Sequence, residues 1–401
     1  QVEQAIDAAE KAAGEWAFST PQQRFDALDH IATEIFAKAE VLGGLLSREE
    51  GKTLAEGKGE VMRAGQIFKF YAGEALRASG EIVSSVRPGI DVEITREPVG
   101  VVGFITPWNF PIAIPAWKIA PAVAYGNSIV IKPAELVPAS VWRLFEIMSR
   151  AGLPDGVVNL VMGPGRVVGE DIAASPKVNA VSFTGSVKTG HHIRNVVAGR
   201  GGKVQLEMGG KNPLVVLDDA DLDVAVNCAL QGAFFSTGQR CTASSRLIVT
   251  AGIHDRFVER LVQQLQAITV GHALAETTQI GPVINEGQLK QNLDYVDIAV
   301  SEGGRLIFGG ERLTLAHQGG YSAPALIVDT RNDMRINREE VFGPVASVIK
   351  VQDYDEALSA ANDTEFGLSA GICTSSLKYA RDFKRRSEAG MVMVNLPTAG
   401  V

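Results

Sequence analysis

Two residues of this chain have the types and settings that covalent chemistry on a carbonyl needs: Glu207 in EMGGK and Cys241 in GQRCT. The thiolate is the reactive form of cysteine, so a working Cys241 must be deprotonated and exposed; a carboxylate could take its proton, or later strip one from water. Cysteine is also among the most buried residue types and packs mostly as a small hydrophobe, so the flanks must decide. Before Cys241 stand Gly238, Gln239 and Arg240, polar or turn-forming, and small residues follow from Thr242 to Ser245. The other two cysteines contrast with it. Cys228 lies in DLDVAVNCALQGAFF, an apolar helical pattern, and Cys373 in LSAGICTSS, a buried-strand pattern, so both are expected in a core.

Four further segments carry polar groups at places where a ligand could meet them. TPWNFP (106–111) follows a strand-like run, so the Asn109 amide could meet an oxyanion there while Trp108 and Phe110 form flat walls; a Pro-bounded turn with buried aromatics is the other reading. In KPAE, Lys132 and Glu135 could hold ribose hydroxyls, or could be a strand-end lysine and a helix-start glutamate that suits the dipole. FTGSVKTG (183–190) leads glycines and a serine into a helix whose amino end could take a phosphate, although neither it nor GPGRVVG (163–169) is GxGxxG. EEVFGP (339–344) is by itself a turn.

The elements around these residues read as α/β. Residues 1 to about 77 show helical spacing (Ile6, Ala9, Ala12; Ile31, Ile35; Val61, Phe68, Tyr71), and 81–99 read as a β-hairpin about Arg87-Pro88-Gly89. A two-stranded ribbon is marginal alone, so this one is expected to pack on another subunit. The runs 99–105, 127–133, 157–163 and 180–186 alternate with helical stretches, which predicts a parallel sheet covered on both faces with ligands beyond its carboxyl ends. A second alternation runs from EMGGK through RLIVT, a helix at 254–269, APALIVD, VASVIKV, a helix at 354–362 and GMVMVN, with the boundary between lobes near 208–210.

Composition narrows the function classes. At 401 residues and 46% hydrophobic content the chain can fill two cores, and three cysteines argue for a reducing compartment rather than a disulfide framework. The net charge of −8 disfavours nucleic acid or an anionic membrane as partner. No Cys/His spacing suits a metal, no apolar run could span a bilayer, and QVEQAIDAAEKAAGEWAFST lacks the pattern of a signal peptide. A cytoplasmic protein is expected.

In this order, TPWNFP, KPAE, FTGS, EMGGK, GQRCT and EEVFGP resemble the motif series of the NAD(P)-dependent aldehyde dehydrogenase superfamily, over essentially the whole chain. FKFYAGEALRASGEIV, WKIAPAVAYGNSIVIKPAE and GMVMVNLPTAGV are most similar to its bacterial branch acting on α-ketoglutarate semialdehyde (2,5-dioxopentanoate). The resemblance implies a Rossmann-type parallel-sheet NAD(P)-binding domain (1–78 and 99–208), a protruding oligomerisation hairpin (79–98) and an α/β catalytic domain (209–398). It implies Cys241 as nucleophile, Glu207 as general base, Asn109 with the Cys241 amide as oxyanion hole, and Lys118 in a proton relay behind Glu207. Thr106, Pro107 and Trp108 line the cofactor cleft; Lys132 and Glu135 match the adenosine-ribose contacts, Gly185 and Ser186 the pyrophosphate region, Glu340 and Phe342 the nicotinamide side. A carboxylate at Glu135 favours a free 2′-hydroxyl by charge, hence NAD, with NADP possible.

The substrate implied is an aldehyde, oxidised to a carboxylate through a thiohemiacetal and a thioester on Cys241. Arg63 or Arg240, beside Phe110, could grip the distal carboxylate of an acid semialdehyde, or be a solvated or structurally paired arginine. Trp117 stands where succinate semialdehyde enzymes place an arginine, which lowers that alternative; lactaldehyde and betaine aldehyde are others. A homodimer or homotetramer is implied. The family continues past NLPTAG into a last helix and a strand that joins the neighbouring subunit, and the sequence given lacks that strand. Among rivals, a cysteine hydrolase would want a histidine near Cys241, a CoA-acylating enzyme would dispense with Glu207, and a catalytically silent member of the fold would tolerate loss of Cys241 or Asn109.

Overall fold

The computed structural model describes residues 1–399. They form two compact units, one of Gln1–Glu50 and Ala55–Glu207, the other of Gly51–Leu54 and Met208 onward.

Four helices open the first unit: α1 (Val2–Ala17), α2 (Pro21–Ala37), α3 (Ala39–Glu50) and α4 (Leu54–Ala75). α2 starts where Thr20 and Gln23 cap each other reciprocally ahead of Pro21, satisfying amino-terminal N–H groups that have no partner within the helix. Apolar residues at helical spacing, such as Leu28, Ile31 and Ile35 on α2 and Val61, Ala64 and Phe68 on α4, join one buried cluster. A hairpin follows, β1 (Glu81–Ser84) against β2 (Asp91–Ile94), antiparallel and exposed along both strands.

The rest of this unit is β3 (Val101–Ile105), α5 (Ala113–Ala124), β4 (Ser128–Lys132), α6 (Pro138–Met148), β5 (Val158–Leu160), α7 (Glu170–Ala174), β6 (Ala180–Gly185), α8 (Val187–Gly199) and β7 (Lys203–Met208). The strand order is β5-β4-β3-β6-β7, with β5, β4, β3 and β6 parallel. Every residue of β3 and β4 is buried, as expected for inner strands packed on both faces. Burying each Val or Ile there contributes about 1.5–3 kcal/mol. Register pairs Ile105 with Lys132 and with Phe183, so β3 and β4 end level and β6 runs two residues further, to Gly185. Since β4 lies on one side of β3 and β6 on the other, the order reverses at β3/β6, where such sheets bind ligands.

The second unit holds β8 (Pro213–Val216), α9 (Leu222–Ala233), β9 (Arg246–Thr250), α10 (Ala251–Gln266), α11 (Glu286–Ser301), β10 (Arg305–Phe308), β11 (Ala325–Val328), α12 (Arg335–Arg338), β12 (Val345–Val351), α13 (Tyr354–Asn362), β13 (Ser369–Cys373), α14 (Leu377–Arg386) and β14 (Met391–Val394). Its sheet runs β10-β11-β12-β9-β8-β13-β14, with only the edge strand β10 antiparallel. Cys228 on α9 and Cys373 on β13 are sealed in its core.

The structure departs from the sequence reading in detail. The run at 99–105 pairs only from Val101, because the Asn127 side chain takes the N–H groups of Val99 and Gly100. The helix expected at 254–269 spans Ala251–Gln266, and GRVVGEDIAAS splits into a wide turn over Gly165–Gly169 and short α7. β8 and β10 have four residues each, too few for periodicity to reveal.

Candidate active site

Cys241 sits on a loop that the backbone must bend sharply to make. α9 ends at Ala233, and Ser236, Thr237 and Gly238 then take three successive left-handed conformations, with φ of 52°, 55° and 64°. Gly238 is required there, since a Cβ would drive into the backbone of Gly343 and Pro344. A β-branched threonine in that region is a genuine outlier; such residues cost of order 1–3 kcal/mol each and persist only where surroundings hold them. Three contacts do so. The Thr237 hydroxyl donates to Gly281 O at 3.1 Å, the Arg240 guanidinium donates to Ser236 Oγ at 2.6 Å, and the Ile284 N–H donates to Gln239 Oε1 at 2.9 Å. Asn212 then pins the loop's far side, donating to the carbonyls of Cys241 (2.7 Å) and Ala243 (2.9 Å) while its Oδ1 accepts from Ser369 N–H on β13. Cys241 itself is half-buried, unlike the other two cysteines.

Glu207 lies in the first unit, on the edge strand β7, at the end of a chain of hydrogen bonds. Lys118 on α5 donates from Nζ to Ser182 Oγ at 2.6 Å; the Ser182 hydroxyl donates to Gln205 Oε1; Gln205 Nε2 donates to Glu207 Oε1 at 2.7 Å. Burial pushes the Lys118 ammonium down to about 8, against the pull of Glu207. α5 is fixed at its start by buried Glu60, whose carboxylate accepts the N–H groups of Ile112 (2.8 Å) and Ala113 (3.0 Å), an anion at a helix amino end.

The carboxyl ends of β3, β4 and β6 collect the strand-end residues. Thr106 and Asn109 are buried after β3, with Pro107, Trp108 and Phe110 half-buried between and after them. The Thr106 N–H is tied to the Lys132 carbonyl, but its hydroxyl is buried without a hydrogen-bond partner. Lys132, 5% exposed, stands 3.6 Å from Glu135, whose Oε1 also accepts the Gly165 N–H at 2.7 Å. Burial lowers the Lys132 ammonium and Glu135 pulls it back. Gly185 closes β6, and Ser186 caps the 13-residue α8, its Oγ accepting the Thr189 N–H. An orphaned buried hydroxyl, a buried cation with a carboxylate beside it and a helix amino end on adjacent strand ends suit the hydroxyls and phosphates of a dinucleotide.

In the second unit, Glu340 is held by the loop after β7: the Gly210 N–H donates to its Oε1 at 3.0 Å. Gly209 must be glycine, because a Cβ would overlap the Glu340 carboxyl group. Burial raises the Glu340 carboxyl, partly offset by that N–H and by Lys211. Phe342, two residues on, is also left-handed at φ 60°. Gly210, Gly238, Arg240, Glu340 and Phe342 line one small hollow.

The two arginines fare differently. Arg63 is exposed on α4, whereas Arg240 spends its guanidinium on Ser236 and on the Ala399 carbonyl at 3.2 Å. Phe110 lies 6.5 Å from the ring of Trp117. Three residues with clear structural roles, Ser182, Gln205 and Asn212, escape a reading by motif. Gln205 and Asn212 lie outside the catalytic residue types the motifs single out, and their hydrogen-bond partners give them a task. Among the described residues no group of three His, Cys, Asp or Glu side chains could hold a metal ion, and no helix is long and apolar enough to cross a membrane.

All of residues 1–401 match the model of the aldehyde dehydrogenase family. The alpha-ketoglutaric semialdehyde dehydrogenase of Bacillus subtilis is 45% identical over 402 residues, covering 100% of this chain and 82% of that protein. The 2,5-dioxopentanoate dehydrogenase of Saccharolobus solfataricus is 41% identical, with 100% and 84% covered. Among solved structures, betaine aldehyde dehydrogenase from Staphylococcus aureus in complex with NAD+ superposes with a TM-score of 0.96 at 37% identity, covering 98% of this chain and 79% of that one.

Proposed function

The chain belongs to the aldehyde dehydrogenase family, and from that premise we propose that it oxidises an acid semialdehyde, of the α-ketoglutarate semialdehyde type, to the corresponding carboxylate with NAD+. The observation that carries the reading is the setting of Cys241, a half-buried thiol on a strained, pinned turn while the two other cysteines are sealed in the core. The names of the relatives that are 45% and 41% identical support the substrate class.

In this mechanism Cys241 Sγ attacks the aldehyde carbon, and the carbonyl oxygen becomes an oxyanion held by the Asn109 side-chain amide and the Cys241 N–H. Such preorganised donors are worth about 3 kcal/mol each. When bound, the nicotinamide accepts the hydride that leaves that carbon. The resulting Cys241 thioester is cleaved by a water whose proton Glu207 takes; the carboxylate leaves and the thiolate is restored. Lys132 and Glu135 would hold the adenosine ribose, Ser186 and Gly185 the pyrophosphate side, Thr106, Pro107 and Trp108 the cleft wall, and Glu340 with Phe342 the nicotinamide ribose and ring. The Glu135 carboxylate would repel a 2′-phosphate, so NAD is preferred over NADP. The exposed hairpin of β1 and β2 supports a homo-oligomer, and the acidic chain with three cysteines outside any disulfide suits the cytoplasm.

Mixing enzyme, NAD+ and acid semialdehyde should give NADH. Cys241→Ala should give none, whereas Glu207→Gln should release one equivalent in a burst and then turn over on the order of a hundredfold more slowly, as for loss of a general base. Absence of NADH from the native chain with any aldehyde would overturn the proposal.

A further inference from the structure

We infer that Gln205 is a positioning residue for the hydrolytic half of the reaction: its amide holds one oxygen of the Glu207 carboxyl group and leaves the other, Oε2, to take the proton from water. The inference rests on the role of Glu207 proposed above. It follows from the direction of each hydrogen bond between Lys118 and Glu207. A lysine ammonium can only donate, so Ser182 Oγ accepts from it at 2.6 Å. The Ser182 hydrogen is then free to point onward, and it goes to the carbonyl oxygen of Gln205. With its oxygen so occupied, Gln205 must turn its NH2 to Glu207 Oε1, which accepts at 2.7 Å.

Every donor along this chain therefore points at Glu207, whose Oε1 is the acceptor that ends it. The amide cannot pass a proton along without becoming its unstable imidic tautomer, so the chain orients the base but does not conduct. Lys118 supplies the polarity, and the pull of Glu207 opposes the lowering of its ammonium. β6, the neighbouring strand, has no charged residue, and Lys203 is the other cation of β7 on the face that carries Gln205 and Glu207. Ser182 matters because without it the amide could rotate and present its oxygen to Glu207, which would repel the carboxylate.

The test is rapid mixing with NAD+ and aldehyde on the native chain, Gln205→Leu, Gln205→Glu and Ser182→Ala. The NADH burst reports attack by Cys241 and hydride loss; the steady rate reports cleavage of the thioester. Gln205→Leu should keep the burst while the steady rate falls roughly tenfold to a hundredfold, the worth of a hydrogen bond to a charged group. Gln205→Glu, which puts an acceptor where Glu207 Oε1 needs a donor, should lower the steady rate further, and Ser182→Ala should lower it by less, both with the burst kept. These variants lie on or beside an edge strand, so a fold lost in one leaves the other two to decide. Burst and steady rate in the same ratio for native and Gln205→Leu would overturn the positioning role alone. A native chain that makes no NADH would instead overturn the aldehyde reading, and this inference with it.

Discussion

Arg63 and Arg240 carry the same guanidinium into different surroundings, and this separates two tasks that the sequence leaves open between them. Arg240 is spent bracing the turn under Cys241, through Ser236 and the Ala399 carbonyl, whereas Arg63 is exposed on α4. Arg63→Ala should therefore raise KM for an acidic aldehyde about tenfold or more, the scale of a charge-assisted hydrogen bond, and leave a neutral aldehyde of similar length unaffected. Arg240→Ala should lower kcat for both alike. Steady-state kinetics on the paired substrates decide it, and equal KM changes for both aldehydes in Arg63→Ala would remove the acid preference. The same contrast shows what one sequence makes legible. Cysteine, carboxylate and amide in Cys241, Glu207 and Asn109 point to a chemistry by type and by the residues around them. Whether an arginine grips a ligand or its own backbone depends on groups far along the chain, as Ala399 is from Arg240, and no local spacing reports that.

At the scale of elements, the inner strands β3 and β4 are legible because burial on both faces demands unbroken Val/Ile runs. Short strands such as β8 are not, since four residues cannot show a period. The entry to β8 carries a second feature that sequence hides. Lys211 is 1% exposed, its Nζ has no hydrogen-bond partner, and burial together with the charge of Arg246 brings its ammonium down to about 7. In the unfolded chain the same amine keeps its proton to about 10.5. Between those values the unfolded state binds more protons than the folded one, so stability rises with pH across that window. Lys118, brought to about 8, adds to the upper part of the same climb. Below pH 7 the penalty for burying the charge is fully present, on the order of a few kcal/mol for Lys211. Lys211→Met should thus raise Tm at neutral pH by a few degrees and lose that advantage as pH approaches the unfolded value, a trend that thermal scans at several pH values would show. A constant difference at all pH values would contradict it.

For the molecule as a whole, the hairpin is the outstanding exposed apolar surface of the first unit: Ile82 is 81% exposed and Val86 100%. Two strands that bury nothing of their own are marginal in water, so the segment is expected to be covered by a second copy of the chain. Replacing Ile82 and Val86 by Lys should shift the protein toward monomer, read as mass by light scattering after size exclusion, with the single-chain fold kept. An unchanged mass would place the contact elsewhere. The turn at Ser236, Thr237 and Gly238 bears on anyone who wishes to make a sturdier version of this molecule. The substitutions that would relax it most cheaply, glycine or asparagine at 236 and 237, are the first a stability-guided library would choose, yet they would loosen the bend that aims the thiol. Heat resistance and catalytic speed would then be selected against each other at two adjacent codons.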